Sequence, residues 1–141
     1  MGAAGYSIEA VESAAFAQMA YILHRPDRGD AIVVDPGFDS RALLRRLERL
    51  GKAPAAILDT HGHVDHIAGN EALKAAFPDA PLIIGRIDAP MLSDPALNLS
   101  LPFGSPIVSP PADRLVDEGD RLEFAGFSML VREVPGHSPG S

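Results

Sequence analysis

The chain has 141 residues, 46% hydrophobic and 22% charged, an ordinary globular balance that excludes wholesale disorder and suffices for one buried core. Twelve Lys and Arg stand against 19 Asp and Glu, a net charge of −7, which makes a nucleic-acid backbone a poor partner. Zero cysteines exclude disulfides, thiolate metal ligands and cysteine nucleophiles.

Residues 17–24 read as a strand, 26–30 as a turn and 31–35 as a second strand. Pro36-Gly37 stops it, because neither residue supports a strand interior. Asp39 or Ser40 can cap a helix whose Leu43, Leu44, Leu47 and Leu50 share one face, with Gly51 where it would end. Arg41 to Arg49 alternates with those leucines and reads as a solvated helix face. Residues 55–60 form a compact apolar strand, 67–77 a second helix ending before Pro78, and 81–85 a further strand. Residues 31–85 therefore read strand–helix–strand–helix–strand, the pattern of an α/β sheet with right-handed crossovers.

Residues 89–112 are rich in proline, show little periodicity, and are expected as a surface loop with at most one short turn of helix. Within them, the segment 91–111 with Pro102, Phe103 and Pro106 is either the wall of a substrate channel or a plain connection. Residues 121–124 and 127–134 flank Ala125-Gly126 as a hairpin. The sequence closes on Pro135-Gly136-His137-Ser138-Pro139-Gly140-Ser141. A histidine-bearing turn normally leads into another strand, so the fold is expected to be C-terminally incomplete. No repeat, low-complexity segment or linker divides residues 1–141, which are taken as a single domain.

Four of the five histidines fall in two loops: His61, His63 and His66 in one, His137 in the other. The first loop packs three imidazoles and the Asp65 carboxylate into six residues, directly after a strand. Imidazole nitrogen and carboxylate oxygen are the natural ligands of zinc and similar divalent ions. From an extended segment, His61 and His63 can point the same way and converge on one ion. Asp65 and His66 lie where the chain turns into a helix and aim at an adjacent position, while Gly62 lets the backbone fold closely. The alternative, loop histidines that only make hydrogen bonds, fits this density of ligand types poorly. His24, alone at a strand end before Pro26, reads as a surface or edge histidine, and Ser138 as loop structure.

Thr60-His61-Gly62-His63-Val64-Asp65-His66 resembles the His-x-His-x-Asp-His metal-binding signature of the metallo-β-lactamase superfamily, matching it at every ligand position. Val33-Val34-Asp35-Pro36-Gly37 resembles that family's early strand and turn. Asp117-Glu118-Gly119-Asp120 resembles the acidic turn before its central hairpin, and residues 135–140 its third histidine loop. The resemblance runs from about residue 6 to the end, and is strongest to small glyoxalase II-like hydrolases. It implies an αββα sandwich, of which this chain supplies the first half and the start of the second. It also implies that His61, His63 and His137 bind a first metal, that Asp65 and His66 contribute to a second, and that Asp35 orients a ligand loop from outside. Capping the Pro-Gly turn is the alternative role for Asp35. The family pattern continues to a bridging aspartate and a last histidine, which would lie beyond Ser141.

The implied cofactor is zinc, one or two ions, with iron or manganese as alternatives. The implied activity is hydrolysis of an ester or thioester, of the hydroxyacylglutathione hydrolase type, in which a metal-activated water attacks the carbonyl and Asp65 holds its proton. No Gly-x-Ser-x-Gly elbow competes with that chemistry. Two other readings stand beside it: a persulfide-dioxygenase-like oxidoreductase using one iron, and a metal-binding fragment with little activity. The expected partner is a small-molecule substrate. No nucleic acid and no membrane are expected, since no apolar run approaches a membrane span and no secretory signal is visible; the expected compartment is the cytoplasm. An unpaired sheet edge would favour self-association.

Overall fold

The computed structural model describes residues 5–141. Its elements are β1 (Ser7–Ser13), β2 (Gln18–His24), β3 (Asp30–Val34), α1 (Ser40–Leu50), β4 (Ala53–Asp59), α2 (Val64–Ile67), α3 (Asn70–Ala76), β5 (Leu82–Gly85), β6 (Arg114–Val116), β7 (Arg121–Phe124) and β8 (Phe127–Leu130). Strands β1 to β6 form one six-stranded sheet in sequence order, and β7 pairs with β8 separately. The first three strands run antiparallel and β3 to β6 run parallel.

The local signals in α1 act as the sequence suggests. The Asp39 carboxylate accepts from the Ala42 N–H at 3.0 Å, satisfying one of the free donors of the first turn. At the other end Gly51 takes a left-handed conformation (φ 64°) and its N–H reaches the last-turn carbonyls. Leu43 and Leu47 face inward and pack on Ile22, Val33, Ile57, Leu73 and Leu82. The opposite face of the sheet, through Ala56, Ile83 and Val116, is covered by Leu122, Phe124 and Met129 of the β7–β8 hairpin. The layers are therefore helices, mixed sheet and hairpin, the α/β class expected. A cavity of about 430 Å³ remains between hairpin and sheet, lined by apolar groups including Val34, Leu58, Ile84 and Met129. No helix among the described residues is long and apolar enough to cross a membrane.

Several expectations need correction. Strands β1 and β6 were not foreseen, because β1 is an edge strand whose inward positions Glu9, Val11 and Ser13 include one apolar residue, and β6 has only three residues. The helix expected over 67–77 breaks in two at Gly69. Its N–H donates to the Pro36 carbonyl at 2.6 Å, and a Cβ there would lie 2.7 Å from that oxygen. The second hairpin strand ends at Leu130 instead of 134, since Val131 exchanges backbone hydrogen bonds with Gly119 and Asp120 of the acidic turn. His24 is buried, because it lies on the same inward face of β2 as Gln18, Ala20 and Ile22, and neither of its ring nitrogens has a partner among the described residues.

The segment 89–112 contains two 3-10 turns, Ala89–Leu92 and Leu101–Phe103, where at most one was expected. It is also not a loose loop. Fully buried Asn98 donates to the carbonyls of Met91 and Ile107 and accepts from the Ser100 N–H, all at 2.9–3.0 Å. One side chain thus replaces the hydrogen bonds that regular structure would have supplied.

Candidate metal centre

Strands β3, β4 and β5 run parallel, so their C-terminal ends meet at one edge of the sheet, where α/β folds carry their sites. The loop after β3 brings Asp35, the loop after β4 brings Thr60 to His66, and the loop after β5 brings Asp88. Residues 135–141 approach the same edge from the far end of the chain.

Asp35 organises the ligand loop. It is buried, in a left-handed conformation (φ 51°) that Asp tolerates better than most residues. Its Oδ1 accepts from the Thr60 N–H at 2.7 Å, and its Oδ2 from the Thr60 hydroxyl at 2.7 Å and from His66 Nδ1 at 3.0 Å. A carboxylate only accepts, so the Thr60 proton points at Asp35, and the Thr60 oxygen is left to accept from His61 Nδ1 at 3.0 Å. Hydrogen-bond geometry therefore assigns the Nδ1–H tautomer to both His61 and His66. Their Nε2 lone pairs are left free. The turn-capping role considered for Asp35 is not the one its side chain plays.

His61, His63 and His137 each offer a ligand atom, all within 4.8 Å of one another. Their ring centroids stand 4.7–4.8 Å apart, edge to face, and His63 Nδ1 lies 3.1 Å from His137 Nε2. His61 Nε2 is buried with no hydrogen-bond partner, a cost that a bound cation would remove. Beside this triad, His66 Nε2 and Asp65 Oδ2 approach to 3.5 Å, and the His66 ring is 4.1 Å from that of His61. All five residues singled out in the sequence as ligands thus meet at one place, as a triad with an adjacent pair.

Burial, reinforced by the neighbouring His66, lowers the pKa of His61 to about 4. Burial and His137 also lower that of His63. Both are thereby held as neutral imidazoles, the form that binds metal. For His66 burial pulls downward, but the hydrogen bond and charge of Asp35, with the charge of Asp65, outweigh it and the net shift is upward. Three imidazoles with an unpartnered buried nitrogen fit a tetrahedral zinc-class ion, and the Asp65–His66 pair fits a second, oxygen-tolerant position.

Three supports escaped the sequence reading. The first is Asp88, fully buried, which accepts from Ser138 Oγ at 2.6 Å, Gly140 N–H at 2.8 Å and Gly62 N–H at 3.2 Å. Ser138, expected as plain loop, is therefore buried and engaged. An aspartate just past an apolar strand was the only available signal. The second is the Asp59–Asn70 pair, whose members bracket the ligand loop. Asn70 Nδ2 donates to Asp59 Oδ2 at 2.8 Å and to Ser109 Oγ at 2.9 Å. Burial raises the Asp59 pKa well above the ordinary carboxylate range. Gln18 adds a further tie, donating to the Asp35 carbonyl at 2.9 Å.

The family model of the metallo-beta-lactamase superfamily matches residues 14–141, and the chain belongs to that superfamily. The hydroxyacylglutathione hydrolase of a Synechococcus strain is 32% identical over 120 residues, covering 85% of this chain and 40% of that protein. The crystal structure of the BLEG-1 B3 metallo-beta-lactamase is 36% identical with a TM-score of 0.89, covering 96% of this chain and 65% of that one. A second structure, TTHA1623 in a di-iron-bound form, is 31% identical with a TM-score of 0.75, covering 94% of this chain and 63% of that one. The chain spans a little over half, 57%, of the length of the first curated relatives it matches.

Proposed function

We propose that this chain carries the metal centre of a hydrolase that cleaves ester or thioester carbonyls, of the hydroxyacylglutathione hydrolase type. The observation that carries this reading is the convergence of His61, His63 and His137 with the Asp65–His66 pair beside them. In this reading His61 Nε2, His63 and His137 hold one ion, zinc by the chemistry of the donors, and His66 Nε2 with Asp65 Oδ2 contribute to a second. Divalent ions bound there supply a Lewis acid and bring the pKa of a coordinated water toward neutrality.

The chain's own groups do the rest. Asp65 accepts a proton from the attacking water and holds it near the leaving group. Asp35 and Thr60 keep both imidazole tautomers correct throughout. The Asp65–His66 pair favours a two-ion hydrolase over a single-iron dioxygenase.

Exposed Phe16, Phe38 and Phe103 pack ring against ring, with centroids 5.9 Å and 5.4 Å apart. The segments that bear them touch the ligand loop. Gly37, next to Phe38, packs against the Asp65 carbonyl, and the Asn98 carbonyl accepts from the Val64 N–H at 2.8 Å. The loops 12–18, 35–40, 60–70, 87–112 and 134–141 contain no Lys or Arg. That composition supports an uncharged, apolar acyl group on this side of the substrate, and the channel-wall role for the segment around Phe103.

Metal content and thioester hydrolysis test the reading together. Purified in zinc, the chain should retain at least one ion by elemental analysis and turn over S-phenyl thioacetate, with turnover lost in Asp65→Ala. His61→Ala should lose the tightly held ion. Stoichiometric metal retained in His61→Ala would sink the ligand assignment, and equal rates for Asp65→Ala and the parent would sink the hydrolytic one.

A further inference from the structure

The third histidine of the triad stands 74 positions beyond His63 in the chain, and something must bring it there. Residues 134–141 fold on themselves: the Val134 N–H donates to the Ser141 carbonyl at 2.6 Å, and the Gly136 N–H to the Ser138 carbonyl at 3.0 Å. The hydrogen bonds that tie residues 134–141 to the rest of the described chain end on two groups only, the Asp88 carboxylate and the His63 ring. Two imidazoles alone make a weak join, so the carboxylate is the anchor. The same carboxylate oxygen that takes the Ser138 hydroxyl takes the Gly62 N–H, which lies between His61 and His63.

Packing is built around this join. A Cβ on Gly62 would lie 2.5 Å from Met91 Cβ and 3.2 Å from the Asp88 carbonyl oxygen. A Cβ on Gly140 would lie 2.6 Å from Ile87 Cβ and 3.0 Å from Asp88 Oδ1. Each ligand loop thus places a glycine where only a bare backbone can approach the turn that carries Asp88.

We propose that Asp88 is a positioning residue that clasps the two ligand loops together, and that His137 joins the His61–His63 pair by way of its carboxylate. The inference rests on reading the cluster as a metal centre. A fully buried carboxylate is stable here because three donors from both loops surround it. Truncation to Ala removes all three links. Asp88→Asn keeps one acceptor for the Gly140 N–H, and its amide can donate to the Ser138 oxygen, but it turns an N–H toward the Gly62 N–H and loses that link.

The test is a double-mutant cycle on zinc affinity, read by competition with a fluorescent chelator, in the parent and in a His137→Ala background. Asp88→Ala should weaken zinc binding by roughly 10- to 100-fold in the parent, the usual effect of losing a support behind a ligand. In the His137→Ala background the further loss should be no more than ~2-fold, because the residue acts through His137. Asp88→Asn should fall between Asp88→Ala and the parent. Equal losses in both backgrounds would overturn the proposal, since a merely structural role weakens the site whether or not His137 is present.

Amide hydrogen exchange on the metal-free chain separates the clasp from the metal reading. Asp88→Ala should lose protection at the Gly62 and Gly140 N–H groups, and retained protection there would refute the clasp whatever the chain does with zinc. Should Asp88→Ala fail to fold, Ser138→Ala removes one link alone. It should show a smaller loss of zinc affinity that likewise vanishes in the His137→Ala background.

Discussion

Asp35→Asn is isosteric and suits the left-handed backbone at that position, so its effects come from hydrogen bonding alone. The Asn oxygen can replace Oδ1 and continue to accept from the Thr60 N–H, which leaves the amide NH₂ in place of Oδ2. That NH₂ now faces His66 Nδ1 and the Thr60 hydroxyl, both of which donate to the carboxylate in the parent. His66 must offer its Nδ1 lone pair instead and carry its proton on Nε2. Thr60 must turn its hydroxyl toward His61 Nδ1, which moves the His61 proton to Nε2 as well. One oxygen-to-nitrogen change thus inverts both tautomers and blocks both metal-facing nitrogens.

Hydrogen bonds to a charged acceptor contribute about 1.5–3 kcal/mol and neutral ones about 0.5–1.5. Weakening the Asp35 network should therefore cost the metal-free chain roughly 2–3 kcal/mol, read from its urea midpoint. Zinc affinity should fall by roughly 10- to 100-fold. Nitrogen–proton correlation spectra of the imidazoles at about pH 9, above the ordinary histidine range, distinguish the tautomers directly. If His61 and His66 both keep the Nδ1 proton in Asp35→Asn, the relay through Thr60 is wrong.

The stability of the metal-free chain should depend on acid through His61. Its folded pKa of about 4 lies below the ordinary histidine value near 6.5, so the unfolded chain binds more protons between those limits. The contribution of His61 is present above the upper limit and lost as pH falls toward the lower one. Urea unfolding at a series of pH values should show this slope, and His61→Asn should flatten it; an unchanged slope would refute the assignment to His61. His66 carries the opposite sign, since its raised pKa gives stability that is lost as pH rises through the folded value. Asp59→Asn should stabilise the metal-free chain at neutral pH by about 1 kcal/mol, because it removes the cost of burying an ionisable carboxyl and keeps an oxygen for Asn70. With a carboxyl pKa raised in the fold, the parent loses stability as pH rises above the ordinary aspartate range. The stability gap between Asp59→Asn and the parent should therefore close in acid, and a gap independent of pH would argue against a raised Asp59 pKa.

What the sequence determined by itself is what short-range rules govern. The Asp39 cap, the inward leucines of α1 and the Gly51 stop lie within one helix, where period and capping chemistry act over three or four residues. The ligand loop is legible for the same reason: four donors within six residues, released at a strand end, have little room to point anywhere but together. Asp35 was identified only through its family resemblance, since nothing near it in sequence shows that Thr60 and His66 will come to its carboxylate.

The tertiary structure alone decided the rest. An edge strand such as β1, which turns Glu9 and Ser13 inward beside Val11 and leaves Ile8 and Ala10 outside, carries no apolar alternation to read. His24 shares the inward face of β2 with Ala20 and Ile22, and only the packing on that face decides that its ring is covered. Asn98 looks like one more loop residue until its carbonyl and amide partners are in place. Asp88 and Ser138 lie 50 positions apart, and a buried carboxylate is satisfied by whichever donors the folded chain delivers to it. That delivery depends on parallel strands ending at one edge of the sheet, a long-range arrangement whose hydrogen-bond partners leave no local pattern in the sequence.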